Sequence, residues 1–312
     1  MSSQLIRKPL PYIALFIAYL IWGINFVVAK LTLEEIPPSS LAFLRFAIAS
    51  LFLAPFFIAE TKKVHIKKED LPSLIAAGVF IVTLNIIFFF EGIVRTTAIN
   101  ASVITLIIPM ASVLAGWWFL KEKVYLVNLA GILIGLIGAL IIIGVPDLIL
   151  GQYSLTALFG NFLIFLASLS FVVGSIFSRQ MLKKYPSLTV TAIAFMVGTV
   201  TFFIPALREY FLDSTWPTRV GMVGIFGIFY MALLSSISAY LLFEWGLAKT
   251  NVNQAQLFHY IEPFIAGFFA VLILSEQITV PFIVGAICIG AGVFLGTLAK
   301  EYHHTAHKYH RV

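Results

Sequence analysis

Long apolar runs separated by short polar segments dominate the chain. A helix needs about 20 apolar residues to cross the hydrocarbon core of a membrane. Ten stretches approach that length, at residues 10–29, 40–59, 72–93, 98–119, 125–144, 157–178, 188–207, 221–246, 252–274 and 281–298. The connections between them leave no room for a soluble domain. The pattern predicts an all-α polytopic membrane protein with ten transmembrane helices.

Composition supports this class and excludes others. Hydrophobic residues make up 61% of the 312 residues and charged residues 11%, against about 25% in ordinary soluble domains. The net charge of +6 does not indicate nucleic-acid binding, because the basic residues lie between the apolar runs. The single cysteine, Cys288, excludes an intrachain disulfide and a thiolate metal site.

Lysine and arginine positions predict the orientation in the membrane. If the N-terminus lies inside, most basic residues fall in cytoplasmic segments, and only Lys30, Arg95, Arg208 and Arg219 fall outside. This asymmetry is the positive-inside pattern. It predicts a multi-pass protein of the cell membrane whose terminal segments, 1–9 and 299–312, are both cytoplasmic.

The sequence repeats itself in two halves. A shift of 154 positions aligns the pairs Gly92/Gly246, Thr96/Thr250, Pro109/Pro263, Glu122/Glu276 and Gly138/Gly292. The repeats occupy residues 10–144 and 157–298, joined by a loop at 145–156. Each repeat holds five spans, so the second must enter the membrane in the opposite orientation. Two inverted five-helix repeats are typical of transporters that bind their substrate near the midplane of the membrane and move it by alternating access.

Several motifs resemble a known family. The first helix carries Trp22-Gly23 with Asn25, and the second carries Arg45 within LAFLRFAIA. Each half ends with a small-polar run, a proline, an apolar run, a glutamate and a glycine-rich helix. Over residues 10–298 this order resembles EamA-type members of the drug/metabolite transporter superfamily. The resemblance implies secondary transport of small organic metabolites, such as amino acids, often as export.

The ninth span contains the most polar membrane segment, Asn251 to Pro263. Polar groups at membrane depth are expected to face a protein interior or a water-filled cavity. Helical spacing places Gln256, His259 and Tyr260 on one face, and the equivalent face of the fourth span carries Ser102 and Thr105. We interpret both faces as walls of a substrate cavity; the alternative is that small residues only permit close helix packing.

The predicted site has two parts. The residues expected to line the substrate cavity are Trp22, Asn25, Asn85, Phe89, Ser102, Thr105, Gln256, His259 and Tyr260. Those expected to have conformational or structural roles are Arg45, Pro109, Glu122, Glu262, Pro263 and Glu276. The asparagines could equally join helices by hydrogen bonds, and the aromatic residues could contact lipid.

The ionisable residues leave alternatives open. His259 could carry protons or be a neutral hydrogen-bonded side chain. Glu262 could support the bend at Pro263 or face the substrate. Arg45 could receive a substrate carboxylate, but we expect it to pair with Glu34 or Glu35 near the outer surface.

Glu91 and Glu244 lie near the ends of the third and eighth helices, one alignment position apart. A glutamate near the membrane surface can reach water, so we expect both to be interfacial anchors.

No motif indicates an enzyme or a cofactor site. The predicted partners are a small-molecule substrate and membrane lipids, with protons as a candidate coupling ion, no nucleic acid, and a monomer or weak dimer as the assembly. His303 and His307 have a spacing that could hold a metal ion, although a solvated tail is the expected state. Lipid scrambling and a non-transporting sensor are the alternative functions.

Overall fold

The computed structural model describes residues 9–120, 126–143, 154–250 and 255–309. Within these ranges the chain forms ten apolar helices and no strand. They are α1 (Leu10–Thr32), α2 (Pro38–Thr61), α3 (Lys68–Ile93), α4 (Ala98–Ile104 and Ile107–Leu120), α5 (Leu126–Ile143), α6 (Leu155–Met181), α7 (Ser187–Leu212), α8 (Met222–Lys249), α9 (Leu257–Leu274) and α10 (Val280–Tyr309). Seven are long and apolar enough to cross a membrane, and α4, α5 and α10 contain shorter apolar helices. The predicted fold class, an all-α polytopic membrane protein, is confirmed.

Helices α2 and α7, which occupy equivalent places in the two halves, pack against each other in opposite directions. The Phe43 ring lies 5.7 Å from that of Phe203, and the Ser50 hydroxyl lies 3.2 Å from that of Thr199. As the residue number rises in α2, its partner's number falls in α7. Equivalent helices therefore run antiparallel, which is the relation that an inverted repeat requires.

Helices α5 and α10 form a second antiparallel pair of equivalent helices. A Cβ atom built on Gly138 would lie 2.6 Å from the carbonyl oxygen of Gly285, and one built on Gly292 would meet the carbonyl oxygen of Gly131. Small residues let two helix backbones approach closely in a membrane, where van der Waals packing drives association. The glycines therefore set the distance between these two helices.

The remaining helices form the centre of the bundle. Helix α1 packs on α8 and α9, while its counterpart α6 packs on α3 and α4. Both α3 and α8 widen into π-helical turns at their centres, at Val79–Leu84 and Tyr230–Ser238. Such turns are rare and occur frequently at functional sites. The irregular backbone lies in the same place in both halves.

Helices α4 and α9 are also irregular at equivalent positions. Helix α4 breaks between Ile104 and Ile107, and α9 begins with 3₁₀ turns at Leu257–Tyr260. A proline removes the hydrogen bond to the carbonyl four residues earlier. Pro109 and Pro263 therefore remove the α-helical hydrogen bonds to the carbonyls of Thr105 and His259, and the Thr105 oxygen instead accepts from the Ile108 amide at 2.9 Å in a tighter turn. This explains why both helices depart from regular geometry there.

Carboxylates cap neighbouring helices at the face predicted to be extracellular. Glu209 of α7 accepts hydrogen bonds from the backbone amides of Ser39 and Ser40, which begin α2. Glu276 accepts from Ala98 and Ile99, which begin α4. Free amides at a helix N-terminus favour an anionic partner. These bonds join different helices, so they position helices as well as capping them.

We expect Gly138→Ala to lower the free energy of unfolding by about 1–3 kcal/mol, the usual cost of overpacking a tight contact. The added methyl group would overlap the backbone of α10. Gly290→Ala is the matched control, because a Cβ atom there meets nothing within 4 Å. Thermal unfolding in detergent measures both variants. Equal behaviour of the two would contradict the close approach of α5 and α10.

Candidate functional site

A small cavity lies between the two halves, where the irregular parts of the helices meet. Its volume is about 70 Å³. Helices from both repeats contribute to its wall, which consists of Trp22, Asn25, Phe26, Arg45, Asn85, Ile86, Phe89, Thr105, Ile108, Ala167, Ser168, Phe171, Ser235, Tyr240, His259 and Glu262. A site between inverted halves, with one basic and one acidic side chain in its wall, can bind a polar solute away from lipid.

Arg45 is the basic group of the cavity. Its side chain is only 1% exposed, and it donates from Nε to the Ser236 hydroxyl at 2.6 Å and from Nη2 to the Ser235 hydroxyl at 3.2 Å. Nη1 has no hydrogen-bond partner among the described residues. Neutral hydroxyls hold the guanidinium without neutralising it, so its charge remains available to a bound anion.

The expected ion pair between Arg45 and Glu34 or Glu35 is not what the structure shows. Glu35 instead accepts hydrogen bonds from the backbone amides of Gly221 and Gly224, at the start of α8. Arg45 points into the bundle because the paired serines of α8 approach α2 at that depth.

Glu262, His259 and Thr105 form the acidic part of the wall. The Glu262 carboxylate accepts a hydrogen bond from the Thr105 hydroxyl at 3.1 Å and lies 3.0 Å from Nδ1 of His259. Nε2 of His259 has no partner within the described chain. Glu262 thus lines the cavity as well as preceding Pro263, so it faces the space where a substrate would bind.

Two asparagines differ in how they meet the cavity. Asn85 donates from its side-chain amide to the carbonyl oxygen of Ala167 at 2.9 Å, which links α3 to α6. Asn25 is 6% exposed, and its side-chain oxygen has no partner among the described residues. An unpaired buried acceptor costs about 1–3 kcal/mol, so a donor on a ligand is a favourable partner for Asn25.

Aromatic rings form the apolar part of the wall. Trp22 donates from Nε1 to the carbonyl oxygen of Ser235 at 3.0 Å and contacts Phe171 and Tyr240 edge to face. Phe26 and Phe89 meet in the same way. Edge-to-face packing and the indole hydrogen bond fix the ring orientations. The wall is therefore preorganised around the charged groups.

Three residues predicted to line the cavity lie outside its wall. Ser102 donates to the carbonyl oxygen of Ile99 within α4. Gln256 accepts from the Tyr19 hydroxyl and donates to the Ser175 hydroxyl, both at 3.1 Å. Tyr260 is displaced because 3₁₀ turns have three residues per turn, so the i, i+4 face of an α-helix is lost.

The residues predicted to have conformational roles are placed as follows. Pro109 and Pro263 lie at the two helix irregularities, and Glu276 accepts a hydrogen bond from Lys30 at 3.1 Å besides capping α4. Glu122 lies outside the described residues. His303 and His307 fall within α10, which continues to Tyr309, but their side chains also lie outside the description.

Glu91 and Glu244 differ in how far they are buried. Glu91 pairs with Arg95 and is partly exposed, which fits an interfacial anchor. Glu244 is only 2% exposed, so the same expectation is wrong for this residue. The approach of α1 and α6 covers it, and no local pattern in the sequence signals that approach.

An inverted bundle of apolar helices around a cavity with buried charged side chains is typical of membrane transporters, and the comparisons with known proteins place the chain in this class. The EamA-like transporter family matches the chain twice, over residues 9–144 and 158–298. The chain belongs to this family. Because the related proteins are named as transporters, it is a multi-pass membrane transporter and not an enzyme.

Relatives of similar length support this assignment. An "Uncharacterized transporter" of Archaeoglobus fulgidus is 29% identical over 93% of this chain and 98% of its own length. A "Probable amino-acid metabolite efflux pump" of Escherichia coli is 25% identical over 90% of this chain and 93% of its own. One crystal structure matches with a TM-score of 0.62 at 18% identity, covering 93% of this chain and 97% of that chain. That likeness supports the fold.

We expect Asn25→Ala and Gln256→Ala to have different effects. Asn25→Ala removes an unpaired buried acceptor, so thermal stability stays near that of the wild type while ligand affinity falls about fivefold, the equivalent of one hydrogen bond. Gln256→Ala removes two bonds between helices and lowers the free energy of unfolding by about 1–3 kcal/mol. Thermal unfolding with and without ligand separates the two. Equal loss of affinity in both variants would contradict the placement of the cavity.

Proposed function

We propose that the protein is a secondary transporter that exports zwitterionic metabolites, amino acids or closely related compounds, by alternating access. The observation that carries the proposal is the wall of the central cavity. It combines a buried arginine with a free Nη1 group, a buried glutamate and an aromatic surface.

Arg45 is proposed to bind the substrate carboxylate. A guanidinium binds carboxylates well because its planar N–H groups match the two oxygens. Two of its nitrogens are already held by Ser235 and Ser236, so the side chain does not need to be ordered when an anion arrives. Nη1 supplies a direct hydrogen bond to the incoming carboxylate.

Glu262 and Asn25 are proposed to bind the substrate ammonium group. Both present oxygen acceptors, and an ammonium group carries three donors and no acceptor. Because one cation and one anion already line the cavity, a zwitterion leaves no uncompensated charge when it binds. A substrate with a single charge would leave either Arg45 or Glu262 without an opposite charge from the substrate at low dielectric, which is costly.

The volume of the cavity supports a change of conformation during transport. Ligand pockets commonly measure about 300–1,000 Å³, whereas this cavity measures about 70 Å³. The described conformation is therefore contracted, and the helices must separate before a metabolite can enter. Alternating exposure of the cavity to the two sides provides that separation.

A hydrogen-bond network at each end of the cavity, each with one bond that joins the two halves, is proposed to close the cavity on that side. Towards the predicted outer face, Lys30 donates to Glu276 at 3.1 Å and to the carbonyl oxygen of Thr96 at 2.6 Å. Towards the predicted inner face, Gln256 connects Tyr19 and Ser175. Breaking one set while the other is kept would open one side at a time.

Export is proposed from the printed name of the Escherichia coli relative, an amino-acid metabolite efflux pump. The orientation with both termini in the cytoplasm, the cell membrane as location, and a monomer or weak dimer as assembly follow from the sequence and stay proposals. So does coupling to protons.

A groove on the surface of the bundle bears on the alternative function, lipid handling. A groove of about 500 Å³ between α5 and α6 is lined only by apolar side chains, among them Leu136, Phe159 and Phe162. It shares no residue with the central cavity. It suits an acyl chain but offers no polar path for a headgroup, so lipid translocation is the less favoured function.

Arg45→Gln is expected to lower amino-acid transport in proteoliposomes at least a hundredfold, because the buried carboxylate would lose a charged partner worth about 3 kcal/mol or more. Competition by amino-acid amides, which lack the carboxylate, is expected to be weak in the wild type. Arg208→Gln, at an exposed position, is the control. Equal competition by acids and amides would contradict carboxylate binding at Arg45.

Lys30→Ala is expected to open the outer side. A cavity cysteine, Ser168→Cys in a Cys288→Ala background, would react five- to thirtyfold faster with an impermeant maleimide applied from outside. This range corresponds to about 1–2 kcal/mol for the lost ion pair and hydrogen bond. Lys249→Ala at the other end of the bundle is the control. A labelling rate unchanged by Lys30→Ala would show that this network does not close the cavity.

A further inference from the structure

Glu244 is a buried carboxyl group outside the central cavity and has no assigned role. It lies on α8, five residues before the helix ends at Lys249. Its side chain is 2% exposed, and Oε1 accepts a hydrogen bond from the Ser178 hydroxyl at 2.7 Å. Oε2 has no hydrogen-bond partner among the described residues.

No cation compensates Glu244 within the described residues. In the part of the bundle around Glu244, the charged or titratable groups of the surrounding elements are Tyr12 and Tyr19 of α1, Arg179 of α6, Tyr240 and Lys249 of α8, and His259, Tyr260 and Glu262 of α9. Helix α7 has no titratable side chain between Ser187 and Thr201. Arg179 donates to the carbonyl oxygens of Ala248 and Thr250, and Lys249 is exposed.

Glu91, near the end of the matching helix of the first half, provides a contrast. The shift of 154 positions pairs it with Trp245, one position from Glu244, and it forms an ion pair with Arg95 at a partly exposed position. In the second half, Lys249 corresponds to Arg95, but no ion pair joins it to Glu244. Of these two glutamates, only Glu244, the one nearer the predicted inner face, is buried with no counter-charge among the described residues.

A buried carboxylate with one hydrogen bond and no cation is unfavourable, whereas a neutral carboxylic acid at the same place is much less so. The position is about 8 Å along the helix from its end, at 1.5 Å per residue. Separation of α1 or α6 from α8 would expose it to water, where the carboxylate is the favoured form. Burial and protonation of Glu244 are therefore linked.

We propose that Glu244 is a proton-binding site: it holds a proton while the inner side is closed and releases it to cytoplasmic water when this side opens. This inference rests on the proposed alternating access. The bond that breaks is the O–H bond of the acid, the proton passes to water, and the carboxylate remains. Reclosing the inner side takes up one proton, so a lower cytoplasmic pH favours the closed conformation.

The protonation of Glu244 is tested by infrared difference spectroscopy of the full-length protein in lipid nanodiscs, without substrate. We expect a C=O stretching band of a protonated carboxyl group at neutral pH. Glu244→Gln should remove this band, and Glu91→Gln, the control at a partly exposed glutamate, should leave it. Ser178→Ala should shift its frequency, because the hydrogen bond to Oε1 is lost. The absence of the band in the wild type, or its persistence in Glu244→Gln, would overturn the proposal.

The linkage to conformation has its own readout. In inside-out vesicles, we would compare the labelling rate of the Ser168→Cys variant with that of the same cysteine in a Glu244→Gln background. The ratio of the two rates should rise with pH by up to tenfold per pH unit, because one proton is released when the inner side opens. The ratio cancels the titration of the thiol itself. A pH-independent ratio would overturn the linkage. The infrared result does not depend on the substrate, so it stands apart from any failure of the amino-acid assignment.

Discussion

The cost of holding charge at membrane depth governs the centre of this protein. Arg45 and Glu262 are each nearly inaccessible; serine hydroxyl groups hold Arg45, and the Thr105 hydroxyl and Nδ1 of His259 hold Glu262. Such groups are tolerated only where they face a polar interior, so the helices must keep a cavity between them. The interrupted backbones of α3, α4, α8 and α9 lie around this cavity, where the bundle buries them.

The inverted repeat determines how the helices are arranged, and the residues that differ between its halves determine which charged groups line the cavity. Antiparallel contacts between equivalent helices, α2 with α7 and α5 with α10, form the frame of the bundle. Arg45 aligns with Ala194 at the shift of 149 positions that relates the first helices of the two halves, and Thr105 aligns with His259 at the shift of 154. The cavity is consequently asymmetric, with the guanidinium from the first half and the carboxylate from the second.

Much of this architecture was predictable from the sequence, because the length of an apolar run is a local signal and the repeat at a shift of 154 positions can be found by aligning the chain with itself. The partner of Arg45 was not predictable, since the choice between Glu35 and the serines of α8 depends on how two distant helices approach. Tyr260 was assigned to the cavity by α-helical spacing, and the 3₁₀ turns of α9 rotate it away. The paired serines in an otherwise apolar run, Ser235 and Ser236, were the available signal for the Arg45 contact.

The most direct test of the account is thermal stabilisation of the purified protein by a panel of amino acids, amino-acid amides, simple amines, monocarboxylates, sugars and lipids. A ligand at a hundredfold excess over its dissociation constant stabilises the folded state by about 2.7 kcal/mol. The account predicts stabilisation by compounds that carry both an ammonium and a carboxylate group, and little by those with one charge. Stabilisation by lipids alone, or equally by amides and acids, would contradict a zwitterion site at Arg45 and Glu262.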